Sequence, residues 1–291
     1  MDTKELIINV ETKQGKNRAK KGKNSFLCLG SLDLSAGSIK KAAIQSKDGQ
    51  LHIDKDKCSQ CYLCKLKSKY IALDDNHLPY ITEEEDNKRY ILEKYDQINF
   101  ETCLATYTEE TGISKWVYSI FRIFGITDTF TECAISKEFI PKNILEALGR
   151  YVPGGTYGKS VIPDVEGRTK DLVFVFENKK YDPSSNKWVI EAIKQIILYA
   201  YSRTYKEENK VVFVFCYNGS RDINDKIKIV LDENPELRGY FYKIFKENSN
   251  YTFSLLPSSE LYTVVKMALK ENKKEMRWIV NVIQKNVKSL P

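Results

Sequence analysis

Two uninterrupted apolar runs, LVFVF at residues 172–176 and VVFVF at 211–215, constrain the fold of this chain more than any other feature. A strand with one wet face alternates apolar and polar residues, whereas a strand covered on both faces does not alternate. Between the runs, Val189, Ala192, Ile193, Ile196, Ile197 and Ala200 recur at helical spacing. A strand, a helix and a second strand in that order predict a parallel crossover in the middle of a sheet. The expected class is α/β (α+β), a mixed sheet flanked by helices.

Chemistry gathers at the end of the first run, in IPDVEGRTKDLVFVFENKK from Ile162. Glu177 and Lys179 are two apart on a strand, so they point the same way. Asp164 precedes the segment Glu166-Gly167-Arg168-Thr169-Lys170, which reads as a turn; a hairpin there folds Asp164 back beside Glu177. Two carboxylates and an ammonium at a sheet edge suit Mg²⁺, which takes one or two carboxylates and completes its shell with water and phosphate oxygens. Such a set fits phosphodiester cleavage, with Lys179 holding the attacking water or offsetting developing charge. Asp171 shares the parity of Glu177 and Lys179 and competes with Asp164 as ligand. The bland alternative is that the two aspartates border a turn and the strand ends in solvent.

At these residues the chain resembles the PD-(D/E)xK nuclease superfamily. Pro163-Asp164 matches its first half-motif and Glu177-Asn178-Lys179 its second. Gln195 and Tyr199 match the Gln-x-x-x-Tyr pair of the following helix, and Glu146, in KNILEALGRYV, stands where an upstream helix of that family adds an acid. The likeness covers residues 137–217. It implies a restriction-endonuclease-like domain over 137–291 that cuts double-stranded DNA with Mg²⁺, of restriction type and sequence-specific. A repair or recombination nuclease fits the same residues. By the resemblance, Asp164 and Glu177 ligate the metal, Lys179 activates water, Gln195 positions and Glu146 adds a carboxylate. A homodimer would suit the symmetry of double-strand cutting.

The formal charge of +7 favours a polyanionic partner. Six basic residues between Lys13 and Lys23 have no acid among them, as expected of a phosphate-contacting loop or of a solvated one. PGGTYGKSVIP, at 153–163, reads as a DNA-contacting loop or a plain connector.

Among seven cysteines, Cys58, Cys61 and Cys64 form C-x-x-C-x-x-C. An odd count with no secretory leader argues against a disulfide framework, and three closely spaced thiols suggest metal. The stretch HIDKDKCSQCYLCKLKSKYIAL resembles half of a bacterial-type ferredoxin, whose pattern is C-x2-C-x2-C-x3-C-P, but Ser68 stands at the fourth position. CLGSLDLSAGSIKKAAI has the same frame and keeps Cys28 alone. This second resemblance implies a small ferredoxin-like α+β module, with an iron-sulfur cluster (4Fe-4S or 3Fe-4S) on Cys58, Cys61 and Cys64. Its fourth ligand is open between Cys28, Cys103, Cys133, Ser38 and His52, and zinc is the competing metal.

Three divisions follow: 1–82 for that module, 83–136 for a helical connector and 137–291 for the nuclease-like part. In the connector, ISKWVYSIFRIFGI is expected as a buried helix ending near Gly125. No apolar run approaches the roughly 20 residues of a membrane span, and the first residues lack a secretory pattern, so a cytoplasmic protein without membrane contact is expected. No G-x-G-x-x-G is present. An iron-sulfur redox or sensing protein that binds nucleic acid without cutting is the alternative from another class.

Overall fold

The computed structural model of the chain describes residues 44–47, 50–53, 64, 66, 71–74, 76, 78–81, 109–131, 135–149, 160–203, 209–271 and 273–288. Two small antiparallel hairpins come first: β1 (Ile44–Lys47) with β2 (Gln50–Ile53), and β3 (Ile71–Leu73) with β4 (Pro79–Ile81). Helix α1 (Glu109–Ile123) leads to β5 (Asp128–Thr131), β6 (Ile135–Ser136) and α2 (Lys142–Gly149). Strands β7 (Ser160–Val161), β8 (Val165–Arg168) and β9 (Leu172–Lys179) follow, then α3 (Lys187–Arg203) and β10 (Lys210–Tyr217). The rest is α4 (Asn224–Glu233), α5 (Pro235–Glu247), β11 (Tyr251–Pro257), α6 (Ser258–Glu271) and α7 (Met276–Lys285).

One mixed sheet of five strands, in the order β11-β10-β9-β8-β5, organises these elements, and the class is α+β. Strands β9, β10 and β11 run parallel, while β8 runs against both of its neighbours. The two apolar runs are the cores of β9 and β10, adjacent in register with Val211 beside Val173 and Phe215 beside Glu177. Both faces are covered. Phe174, Phe176, Val212 and Val214 pack under Phe121 of α1, Val265 of α6 and Ile279 of α7. Val173, Val175, Phe213 and Phe215 pack under Val189 and Ile196 of α3 and Phe241 of α5. Each such side chain contributes about 1.5–3 kcal/mol by leaving water, which is why the runs never alternate.

Helix α1 ends where its sequence says it should. Gly125 takes φ +94°, Ile126 N–H donates to the Phe121 carbonyl at 2.8 Å and Gly125 N–H to that of Arg122 at 3.3 Å, a left-handed glycine stop. Strand β5 is an edge strand of the five-stranded sheet, and α1 lies in the core on one of its faces. Cys64, Leu66, Ile71 and Leu73 join that same core, and Lys274 Nζ donates to the Leu66 carbonyl at 3.0 Å.

The turn between β8 and β9 also differs from its reading. Glu166, Gly167 and Arg168 are strand residues opposite Val175, Phe174 and Val173, and the loop is the pair Lys170–Asp171. Thr169 closes it, its N–H donating to the Leu172 carbonyl at 2.9 Å and its Oγ1 accepting from Leu172 N–H at 3.1 Å. Gly167 is glycine for a packing reason. A Cβ there would lie 2.4 Å from Cδ2 of the Phe121 ring.

The first part of the expected connector (83–108), the loop at 153–159, the basic stretch at 13–23 and Cys28, Ser38, Cys58, Cys61, Cys103 and Cys133 lie outside the described residues. No described helix is long and apolar enough to cross a membrane. The close approach at Gly167 gives a stability test. Gly167→Ala is expected to lower unfolding free energy by about 1–3 kcal/mol in urea titrations, and to lose most of that penalty when combined with Phe121→Leu.

Candidate functional site

Where β8 opens away from β9, three elements meet. Asp164 N–H donates to the Phe176 carbonyl at 3.1 Å, and its Oδ2 accepts from the Asn178 N–H at 2.6 Å. The Asp164 carboxylate therefore lies against the main chain between Glu177 and Lys179. Lys179 Nζ is 2.8 Å from Glu177 Oε1, and the Tyr199 hydroxyl on α3 lies 2.5 Å from Glu177 Oε2. That hydroxyl is also 3.1 Å from the Ile162 carbonyl, so it ties the approach to Asp164 to the glutamate.

Burial makes these contacts consequential. Glu177 is buried, and only 12% of the Lys179 side chain is exposed. An ionised carboxylate taken from water must be paired and hydrogen-bonded, and here an ammonium and a phenol bracket it. Asn178 divides its work between two directions. Its main chain holds Asp164, while its Nδ2 donates to Ser114 Oγ of α1 at 2.9 Å on the far side of the sheet.

The remaining sequence candidates fall elsewhere. Asp171 is exposed in the hairpin loop, six residues from Glu177 and so about 20 Å along β9, away from the cluster. Glu146 is exposed on α2, 3.8 Å from Lys142 in an i,i+4 pair, and makes no contact with the carboxylates. Gln195 is half-buried one turn before Tyr199 and has no hydrogen bond among the described residues. Of the cysteine motif, Cys64 alone is described; it is buried beside Leu66, Ile71 and Leu73.

A second charged cluster was not anticipated from the sequence. Glu166 is fully buried; its Oε1 accepts from Arg168 Nε at 2.8 Å, and its Oε2 pairs with Arg203 in the last turn of α3. This cluster clamps the hairpin to the end of the helix that carries Tyr199. Reading Glu166 as a turn residue concealed it. The usable signal was parity, since Glu166 stands two residues after Asp164, which immediately precedes β8.

The donor set can be compared with what a metal requires. Among the described residues no three His, Cys, Asp or Glu side chains gather, which argues against a closed protein cage. Two carboxylates on neighbouring strand positions fit an ion such as Mg²⁺, which takes one or two carboxylates and keeps several waters. Close by, burial raises the pKa of the Cys216 thiol, and the charge of Asp164 adds to the rise, so this cysteine stays protonated and inert.

Comparison with protein-family models, with curated proteins and with solved structures finds no match to this chain. The electrostatics give a contrast between two glutamates. Glu166→Gln leaves Arg203 buried opposite a neutral group and should remove about 3–5 kcal/mol of stability, whereas the exposed Glu146→Gln should stay within about 0.5 kcal/mol of wild type by chemical denaturation.

Proposed function

We propose that this protein is a Mg²⁺-dependent phosphodiesterase that cuts double-stranded DNA, a restriction-type endonuclease on a restriction-endonuclease-like fold. The observation that carries the reading is the meeting of Asp164, held by the Asn178 amide, with the Lys179–Glu177–Tyr199 chain. Oxygen ligands and an ammonium gathered at the end of the central strand are the donor set that metal-assisted hydrolysis of a phosphodiester uses.

In this reading Asp164 and Glu177 would hold Mg²⁺, which supplies Lewis-acid polarisation of the scissile phosphate and a water acidic enough to attack it. The chain's own groups do the rest. Lys179 orients the attacking water and offsets charge that builds on the phosphoryl oxygens. Tyr199 fixes the rotamer of Glu177, and the Asn178 amide fixes that of Asp164. Water adds to phosphorus, one phosphorus–oxygen ester bond breaks, and the leaving oxygen gains a proton as the water loses one.

The same proposal keeps an iron-sulfur cluster on Cys58, Cys61 and Cys64, supported by thiol spacing, in a ferredoxin-like module with no step in the hydrolysis. Purified protein is then expected to be brown and to contain iron and acid-labile sulfide; a colourless preparation with zinc would overturn that part.

Cleavage is tested with plasmid DNA and Mg²⁺. Glu177→Gln and Asp164→Asn should each lower the rate by at least about 10²-fold with circular dichroism unchanged, and Tyr199→Phe by less, about tenfold. A wild-type protein that cuts no DNA under any divalent ion would sink the nuclease reading and leave a nucleic-acid-binding redox or sensing protein.

A further inference from the structure

Lys194 is the buried charged side chain of α3 that neither cluster uses; Lys187 and Glu191 pair at the helix surface. It is 1% exposed, with neither a hydrogen bond nor an ion pair among the described residues. Its Nζ is not one of the fully enclosed polar atoms without a partner, a set that does include Trp116 Nε1, Ser119 Oγ and Asn178 Oδ1. Its stem is therefore packed away while the ammonium keeps a narrow opening to solvent, as a snorkelling lysine does. A second cation lies nearby. Lys137, half-buried, directly follows β6, and α3 packs beside β6 and β7.

Like charges brought together in a desolvated place are unfavourable unless something of opposite sign joins them. Burial lowers the pKa of Lys194 to about 8; the carboxylate of Glu191 opposes that fall and the charge of Lys137 adds to it. Burial lowers that of Lys137 as well. Glu191 cannot serve Lys194 alone, because its Oε1 lies 3.9 Å from Lys187 at the helix surface.

The position matters as much as the charge. Ser136 pairs with Ser160 in antiparallel register, so Lys137 stands one step beyond that pair, five residues or about 17 Å of chain from the level of Asp164. Lys194 is five residues from Tyr199, about 7.5 Å along the helix axis. The elements at which the two cations stand, α3 and the end of β6, both lie against the strand β7 that leads into the carboxylate cluster.

We infer that Lys194 and Lys137 form a phosphate subsite, which holds a phosphodiester of the bound DNA strand a few nucleotides from the one that is cut. This rests on the nuclease reading. The subsite fixes the strand's register against Asp164 and Glu177 without touching the reacting atoms, so both lysines are positioning residues. Removing an unpaired buried ammonium should also leave the protein as stable as before, or more stable.

The test uses the full chain in EDTA, where the DNA is not cut, with a 30-bp duplex titrated across chloride concentrations. For Lys194→Met the expected result is about tenfold weaker binding and a salt slope shallower by about one, at an unchanged or higher melting temperature. Lys137→Gln should show the same change of slope, and it decides the matter if Lys194→Met does not fold. Equal affinity and equal slope in the variants would overturn the inference and leave Lys194 as a core lysine. Inorganic phosphate provides the second arm, at matched ionic strength. If wild type neither cuts nor binds the duplex, the nuclease reading has failed by itself; a phosphate-induced rise in melting temperature that Lys194→Met abolishes then upholds an anion site for a small phosphate compound, and the absence of that difference ends the proposal.

Discussion

The register of the β8–β9 hairpin is the constraint on which the rest depends. A two-residue loop at Lys170–Asp171 sets Val165 opposite Phe176 and Glu166 opposite Val175, and continuing it brings Asp164 to the Asn178 amide. Strand side chains alternate, so a slip of one residue would send Val165 out of the core and carry Glu166 to the wrong face of the sheet. Core and candidate site are thus specified together. The burial of Val165, Phe174 and Phe176 beneath α1 sets the register, and the register delivers the carboxylate.

Helix α3 holds the other half of the arrangement. Its apolar stripe crosses the sheet over Val175 and Phe213, which fixes the helix's rotation and so the direction of its flanks. One flank presents Tyr199 to Glu177, and the last turn presents Arg203 to Glu166. The two buried glutamates are handled differently. Glu166 is locked between two guanidiniums in a clamp that leaves no chemistry to do, whereas Glu177 meets one ammonium and one phenol at the margin of the sheet. A planar guanidinium matches a carboxylate with fixed parallel donors and holds it in place; a lysine ammonium is a movable point charge, which suits a group that must respond to substrate.

Much of this was legible before any coordinates. The apolar runs identified β9 and β10 and their parallel crossover, because a strand covered on both faces has no other way to be stable. Period-two spacing placed Glu177 and Lys179 together, and helical spacing put Tyr199 on the flank of α3 beside Gln195. What misled was Glu166-Gly167-Arg168, where glycine and charge are the usual marks of a turn. In the folded chain the glycine makes room for the Phe121 ring and the Glu166 carboxylate is buried against Arg203. Both reasons are contacts with residues 46 and 37 positions away, which the local marks of a turn do not report.

The chain's amino-acid order by itself determined which segments must be interior strands, which helix covers them and which polar residues share a strand face, since these follow from periodicity along one element. Only tertiary structure decided that Asp164 rather than Asp171 lies with Glu177, that Glu146 faces water, that residues 109–131 complete the sheet, and that Lys194 is enclosed. Those outcomes depend on the direction in which a hairpin closes and on how helices roll against a sheet. Both are set by the packing of side chains distant in sequence, whose shapes must fit all at once.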